Sequence, residues 1–235
     1  MSTREFLRQY AWVYLYVVAF FLSCTAFMLH SVQTSGSMAP FALHPVIIID
    51  AGHGAPDGGA VGVSGVKEER INLAISRRLE ALLALMGCET LMTRTDGSCI
   101  ATEGNTIRQK KQSDLRNRVE LVNSQASAVL VSIHQNHFSD DQYWGPQVFW
   151  TGDAEALAER TQTALNAAIY PESSRRAKRA AGVYLMEHSQ HPGILVECGF
   201  LSNPREEQLL ASPAHQKKLA VVLAAVLADH IHPGA

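Results

Sequence analysis

Apolar and polar positions follow two alternating periods between residues 46 and 231, and each period predicts one kind of element. Short, continuous apolar runs predict strands at 46–50, 89–94, 128–134, 146–151, 182–186 and 193–197. Apolar residues at helical spacing predict helices at 68–87, 109–125, 154–169 and 213–231. Because strands that are apolar on both faces need cover on both sides, this order predicts one α/β domain. Its sheet is expected to be mostly parallel and twisted, with flanking helices.

The N-terminal segment has a different pattern. Residues 11–29 carry no charge and follow Arg4 and Arg8. At about 1.5 Å per residue a helix of this length spans about 28 Å, close to the roughly 30 Å hydrocarbon core of a bilayer. We therefore predict a cytoplasmic stub at 1–10, a transmembrane signal anchor at 11–29, a tether at 30–44 and the folded domain at 45–235. A cleaved signal peptide is the alternative, and either arrangement places the domain, anchored or secreted, on the extracytoplasmic face.

Charge and cysteine content argue against two classes of protein. The formal net charge is −2 at pH 7, which does not favour the basic face that a nucleic-acid-binding protein needs. The four cysteines form no CxxC pair and are too sparse for a small disulfide-held module. We therefore expect a membrane contact through the N-terminal segment and no nucleic-acid partner.

Polar side chains follow three of the predicted strands at the points where the strands end. His53 comes just after the first strand, His134 ends "VLVSIH", and Glu197 ends "GILVE". In sheets of this class ligands bind beyond the carboxyl ends of the strands, so these three residues are expected to face one crevice. Cys198 follows Glu197 and is expected to face the opposite side of its strand.

The first predicted helix adds a carboxylate to this group. Its apolar stripe consists of Ile71, Ile75, Leu79, Leu82 and Met86. Glu68 lies one turn before Ile71 on this inward face, whereas Glu69 leans toward the side of Asn72 and Ser76. Two imidazoles and one carboxylate are the ligand set of a catalytic zinc site, so His53, Glu68 and His134 are predicted to bind Zn²⁺. With Glu197 as a proton acceptor, the set favours amide hydrolysis.

The sequence leaves the role of one further polar residue open and assigns a structural role to another. Arg94 ends the second strand, where it either contacts substrate carboxylates or stabilises the fold. Asp57 lies in the glycine-rich loop "GHGAPDGG" and is interpreted as a turn residue.

Five ordered blocks carry a resemblance to a known family. They are "IIIDAGHGAPDGGAVG", "GVKEERINLAIS", "RNRVELVN", "SIHQNHF" and "ILVECGFLSNPREEQLL", and together they cover residues 46 to about 232. These blocks resemble the zinc-dependent N-acetylmuramoyl-L-alanine amidases. The resemblance implies that His53, Glu68 and His134 bind zinc and that Glu197 is the catalytic base. It implies cleavage of the amide bond between N-acetylmuramic acid and L-alanine of the stem peptide in peptidoglycan.

Within this family the chain is similar to the CwlD branch, the germination-specific amidases of spore formers. It shares a single N-terminal hydrophobic segment, an absence of wall-binding repeats in the sequence, and "SIHQNHF" followed by "WGPQVFW". This likeness implies a role in spore cortex maturation, in which peptide removal precedes muramic-δ-lactam formation, in the forespore or cortex compartment. Because such enzymes are often held inactive until needed, it also implies an activating protein partner.

Two other functions remain compatible with the sequence. One is a catalytically silent peptidoglycan-binding protein of the same fold, which a measurement of bound zinc would separate from the enzyme. The other is a zinc peptidase acting on protein, which would release peptides from casein and not only from muropeptides.

Overall fold

A computed structural model describes residues 18–23, 25 and 44–234 of the chain. Residues 18–23 and 25 are helical. Most of the predicted membrane segment 11–29, the stub 1–10 and nearly all of the tether lie outside the described residues. Within the part that is described, no helix is both long enough and apolar enough to cross a bilayer.

Residues 44–234 form six strands and six helices. The strands are β1 Val46–Ala51, β2 Thr90–Met92, β3 Ala128–Asn136, β4 Gln147–Thr151, β5 Lys178–Arg179 and β6 Gly193–Phe200. The helices are α1 Glu68–Leu85, α2 Ile107–Asn123, α3 Glu155–Ile169, α4 Tyr184–His188, α5 Pro204–Ala211 and α6 Pro213–Ile231.

The six strands form one mixed sheet in the order β2-β1-β3-β6-β4-β5. Neighbouring strands are parallel except for β4 and β6, which are antiparallel. The predicted α/β class is therefore confirmed, and the sheet is mixed rather than wholly parallel. Because β1, β3 and β6 run in the same direction side by side, their carboxyl ends meet at one edge of the sheet.

Apolar side chains alternate between the two faces of the sheet and are covered on both. On β1, Ile47 and Ile49 pack into the larger cluster, which includes side chains from α1, α3 and α6. Ile48, between them, packs with Val122 of α2 and Leu185 of α4 on the other face. All three isoleucines are fully buried. This two-sided burial explains why the central strands read as continuous apolar runs.

Three short elements differ from the sequence predictions. The strand predicted at 182–186 is wrong, because Tyr184–His188 form the single-turn helix α4. Periodicity cannot separate a strand from a helical turn over so few apolar residues. The edge strand β5 lies in a segment for which the sequence predicted neither a strand nor a helix. Helix α5 was not predicted either, although Asn203 caps it and Pro204 occupies its first turn.

A fully buried arginine ties α2 to the end of β1. Arg118 donates from Nε to Asp114 Oδ2 at 2.8 Å and from Nη1 to Asp50 Oδ1 at 2.5 Å. It also donates to the carbonyl oxygens of Ala51 at 3.0 Å and His53 at 2.6 Å. Burial alone raises the pKa of Asp50, but the Arg118 charge and the hydrogen bonds outweigh it and lower the pKa to about 2. Two buried carboxylates therefore share one buried cation.

Replacing this cation leaves the carboxylates without their partner. We expect Arg118→Met to lower the free energy of unfolding by about 3–5 kcal/mol, because an uncompensated charge remains in the interior. The matched control is Arg116→Met on the same helix, where an exposed arginine pairs with the exposed Glu103. That change is expected to stay within about 0.5 kcal/mol. Urea unfolding followed by circular dichroism measures both, and equal midpoints for the two variants would contradict the prediction.

Candidate functional site

The structure brings three of the predicted site residues together at the carboxyl edge of the sheet. His53 lies two residues beyond β1, Glu68 is the first residue of α1, and His134 lies near the end of β3. One ligand atom from each lies within 4.8 Å of the others. His53 Nε2 is 3.2 Å from Glu68 Oε2, and His134 Nδ1 is 3.0 Å from Glu68 Oε1. Two imidazoles and a carboxylate at this separation could hold a metal ion.

Glu68 is buried and its carboxylate joins three segments of the chain. Oε2 accepts the backbone N–H of Ala60 at 2.8 Å, and Oε1 accepts the Asn72 amide at 3.1 Å and the Gln135 backbone N–H at 3.0 Å. Burial raises the pKa of Glu68, but the hydrogen bonds to the two histidines outweigh it and hold the pKa well below its usual range. The predicted inward orientation of Glu68 is confirmed.

The inward face of α1 is wider than the sequence predicted. Asn72 and Ser76, which were placed on the side away from the apolar stripe, are fully buried. Asn72 donates to the Gly52 carbonyl at 3.1 Å as well as to Glu68. The polar residues of this helix therefore help to support the site.

His53 has an unusual backbone conformation and a carboxylate behind its ring. Its φ of 59° lies in the left-handed region that non-glycine residues seldom adopt. Nδ1 is 3.0 Å from Asp57 Oδ2, which Lys111 Nζ also contacts at 3.0 Å. Burial lowers the pKa of His53, but the hydrogen bonds to Asp57 and Glu68 outweigh it and raise the pKa to about 9.

Asp57 has a second role that the sequence analysis missed. Its Oδ1 accepts the Gly59 backbone N–H at 3.2 Å, which confirms the predicted turn contact. Its other oxygen faces the His53 ring, as carboxylates behind metal-binding histidines commonly do. The signal in the sequence is the spacing, because Asp57 lies four residues after the predicted metal ligand His53.

Two glycines of the loop allow the side chains of the site to approach the backbone. A Cβ on Gly52 would overlap with the His134 ring. Gly59 has a φ of +67°, and a Cβ there would come within 2.5 Å of Glu68 Oε2 and 2.7 Å of the His53 ring. Both positions therefore require glycine for the three side chains to converge.

Glu197 lies beside this group on the next strand. The β3–β6 register pairs Glu197 with His134, so both side chains stand on the same side of the sheet. Its Oε2 is buried and has no hydrogen-bond partner in the described part of the chain. Burial, with a smaller contribution from the Glu68 charge, raises the pKa of Glu197 to about 7, against the opposing effect of His134 and His53. This carboxyl group can therefore gain or lose a proton near neutral pH.

The other polar candidates have structural positions or lie apart. Arg94 is buried and donates to the backbone carbonyls of Ala51, Gly52, Glu69 and Asp96 at 2.7–2.9 Å. Of its two open roles, the structure therefore favours stabilisation of the fold. Cys198 is fully buried in the apolar cluster, and burial raises the pKa of its thiol, so it is not poised as a nucleophile.

Comparison with known proteins places the chain in a family. The model of the Amidase_3 family, described as N-acetylmuramoyl-L-alanine amidase, matches residues 47–229. The germination-specific N-acetylmuramoyl-L-alanine amidase of Bacillus subtilis is 38% identical over 179 residues, which cover 74% of this chain and 75% of that protein. Escherichia coli AmiA, an N-acetylmuramoyl-L-alanine amidase, is 26% identical over 234 residues, covering 80% and 76% of the two chains.

Solved structures agree with these relatives. The CwlD amidase of Clostridioides difficile, solved in complex with the GerS lipoprotein, has a TM-score of 0.76 and 34% identity. The match covers 80% of this chain and 98% of that one. These similarities confirm the resemblance read from the five sequence blocks, including the likeness to a germination-specific homologue. The chain therefore belongs to the Amidase_3 family of N-acetylmuramoyl-L-alanine amidases, enzymes that hydrolyse an amide bond of peptidoglycan.

Proposed function

We propose that this amidase is zinc-dependent, with His53, Glu68 and His134 as the metal ligands and Glu197 as the catalytic base. The observation that carries the proposal is the convergence of three donor groups within 4.8 Å of one another beside a carboxyl group whose buried oxygen has no partner among the described residues. Two histidines and one glutamate match the ligand set of catalytic zinc sites, which leave a further position open. The Asp57 carboxylate behind His53 fits the same kind of centre.

The residues around this centre divide the work of amide hydrolysis. A zinc ion held there supplies Lewis acidity toward the scissile carbonyl and lowers the pKa of a water molecule toward about 7. Glu197 accepts a proton from the attacking water as the oxygen bonds to the carbonyl carbon. It then delivers that proton to the amide nitrogen of L-alanine, so that the C–N bond breaks and a free amine leaves. Burial raises the pKa of Glu197 to about 7 in the metal-free protein, and a bound divalent cation would lower it, which favours the ionised form that accepts the first proton.

We further propose that the enzyme acts in spore cortex maturation, removing stem peptides ahead of muramic-δ-lactam formation. The support is its likeness to the germination-specific amidase of B. subtilis and to the CwlD amidase. Because the latter was solved in complex with a lipoprotein, an activating protein partner is part of this proposal. Peptidoglycan lies outside the cytoplasmic membrane, so the N-terminal segment is proposed to anchor or export the domain.

The test of the base is a conservative substitution. Glu197→Gln keeps the size of the side chain but cannot accept the proton, so peptide release from purified peptidoglycan is expected to fall by about 10²–10⁴-fold. Zinc content, measured on the same samples by atomic absorption, is expected to match wild type. Undiminished turnover would remove Glu197 from this role.

The substrate class has a separate test. Wild type is expected to leave casein intact, and casein hydrolysis would indicate a zinc peptidase instead.

The test of the metal site compares two neighbouring glutamates at the start of α1. Glu68→Gln removes the anionic ligand and is expected to weaken zinc binding by more than about 100-fold, as measured by competition with a chelating dye. Glu69→Gln is the matched control, because the side chain of Glu69 lies 3.6 Å from Arg70 and takes no part in the group of three. Equal zinc affinity in the two variants would exclude Glu68 as a ligand.

The cortex role has its own test in a spore former that lacks its germination-specific amidase. Expression of the chain there is expected to restore muramic-δ-lactam in spore peptidoglycan, measured by muropeptide analysis, whereas the Glu197→Gln variant is not. A wild-type chain that digests peptidoglycan in vitro but never restores the lactam, even with its cognate partner present, would assign the enzyme to general wall turnover.

A further inference from the structure

Three exposed aromatic side chains lie in the segment that connects β3, the strand that carries His134, to β4. Phe138, Tyr143 and Trp144 are 51%, 42% and 40% exposed. We call these three residues the aromatic platform. Phe138 follows His134 by four residues, so the chain runs directly from the candidate site into the platform. A cluster of exposed aromatic rings on a folded domain commonly marks a surface that binds another molecule.

Two rings of the platform contact each other and the end of β6, and the third, Trp144, packs against Tyr170 with the ring centroids 6.0 Å apart. Phe138 and Tyr143 meet edge to face with their centroids 5.0 Å apart, and Tyr143 stacks on Phe200 at 6.1 Å. The guanidinium of Arg175 lies 5.3 Å from the Phe200 ring centroid. Phe200 is three residues beyond Glu197 on β6, so Tyr143 packs on the strand that carries the proposed base.

A buried carboxylate fixes the platform to the catalytic strand. Glu206 is 3% exposed, and its Oε2 accepts the backbone N–H groups of Gly145 at 3.0 Å and Phe200 at 2.8 Å. Arg175 donates to the Trp144 carbonyl at 3.1 Å, and Ser202 Oγ accepts the Phe138 N–H at 3.1 Å. The loop that presents the rings is therefore held in place before any ligand arrives, which reduces the entropy lost on binding.

Two concave surfaces adjoin the exposed rings. A cavity of about 620 Å³ is lined by Trp144 together with the polar side chains of Asn203, Arg205 and Lys218. A second, of about 450 Å³, is lined by Tyr143 and Trp144 on one side and by residues 172–175 on the other. These volumes lie in the range that holds a small ligand, and each combines aromatic faces with hydrogen-bonding groups.

This combination matches a carbohydrate ring better than a peptide. A pyranose presents a face of C–H groups and a rim of hydroxyls, and an indole or phenol offers an apolar face with a polar edge. The substrate of an amidase of this family continues away from the scissile amide as a strand of such rings. We propose that Phe138, Tyr143 and Trp144 form a carbohydrate-stacking surface that holds sugar rings of the glycan strand beside the scissile bond. This inference rests on the proposed function, because it takes the glycan to be part of the substrate.

The test measures binding without catalysis. The purified full-length chain is titrated with peptide-free glycan strands and, separately, with the sugar-free stem peptide. Trp144→Ala and Tyr143→Ala are each expected to weaken glycan binding by about ten-fold, which corresponds to about 1.4 kcal/mol. Trp144→Phe keeps an aromatic face and is expected to retain most of the affinity. Urea midpoints confirm that each variant is folded.

The matched control is Tyr184→Ala on α4, another exposed tyrosine, which stacks on His188 instead of the platform. It is expected to bind glycan as wild type does. The inference would be overturned if the platform variants bound glycan as tightly as wild type, or if wild type bound the stem peptide but not the glycan. So would platform variants that bind glycan normally but lose a lipoprotein activator, since the surface would then be a protein interface.

A failure of the platform inference can be distinguished from a failure of the proposed function. Peptide-free glycan contains no scissile amide, so its binding requires neither Glu197 chemistry nor a metal ion. A chain that binds glycan through the platform but releases no peptide would refute the proposed catalysis alone. A chain that releases peptide while its platform variants bind glycan normally would refute the platform alone.

Discussion

The buried carboxylate of Glu68 is the interaction on which the candidate site depends. An ionised carboxylate in the interior is strongly unfavourable unless its oxygens are paired and hydrogen-bonded. Here it accepts a backbone N–H from the loop after β1 and another from β3, and it contacts both imidazoles. One side chain therefore fixes the relative positions of the loop, α1 and β3. If it were apolar, two backbone N–H groups would lose their acceptor and the two histidines would lose the anion between them.

Hydrogen bonds from two buried arginines explain how His53 keeps its left-handed backbone conformation. Such a conformation at a non-glycine residue is unfavourable by about 1–3 kcal/mol and persists only where surrounding contacts impose it. The carbonyls of Ala51 and His53 both accept from Arg118, and those of Ala51 and Gly52 accept from Arg94. Two buried guanidinium groups thus fix the carbonyls of this segment by hydrogen bonds. The imidazole of His53 contacts Glu68 through Nε2 at 3.2 Å.

The sequence predicted the parts of this arrangement that depend on local pattern. Long periodic segments such as 68–87 and 213–231 were correctly predicted as helices, whereas the short run at 182–186 carried too few residues to separate a turn of helix from a strand. The convergence of His53, His134 and Glu197 followed from a general rule about strand ends. Arg118 was missed because an apolar/polar pattern treats arginine as a surface residue. Its partners Asp50 and His53 are more than sixty positions away in the chain.

Two carboxylates at the same edge of the sheet differ in their acid–base properties because of what surrounds them. Glu68 is buried and Glu197 is half-buried with its Oε2 enclosed, and burial raises the pKa of each. Backbone N–H groups and two histidines surround Glu68, so hydrogen bonds reverse the effect of burial and its pKa falls. Glu197 has the same histidines only as more distant charges, and its buried Oε2 lacks a donor within the described residues, so its pKa stays near 7. Environment rather than residue type therefore separates a permanent anion, suited to holding a cation, from a carboxyl group suited to moving a proton.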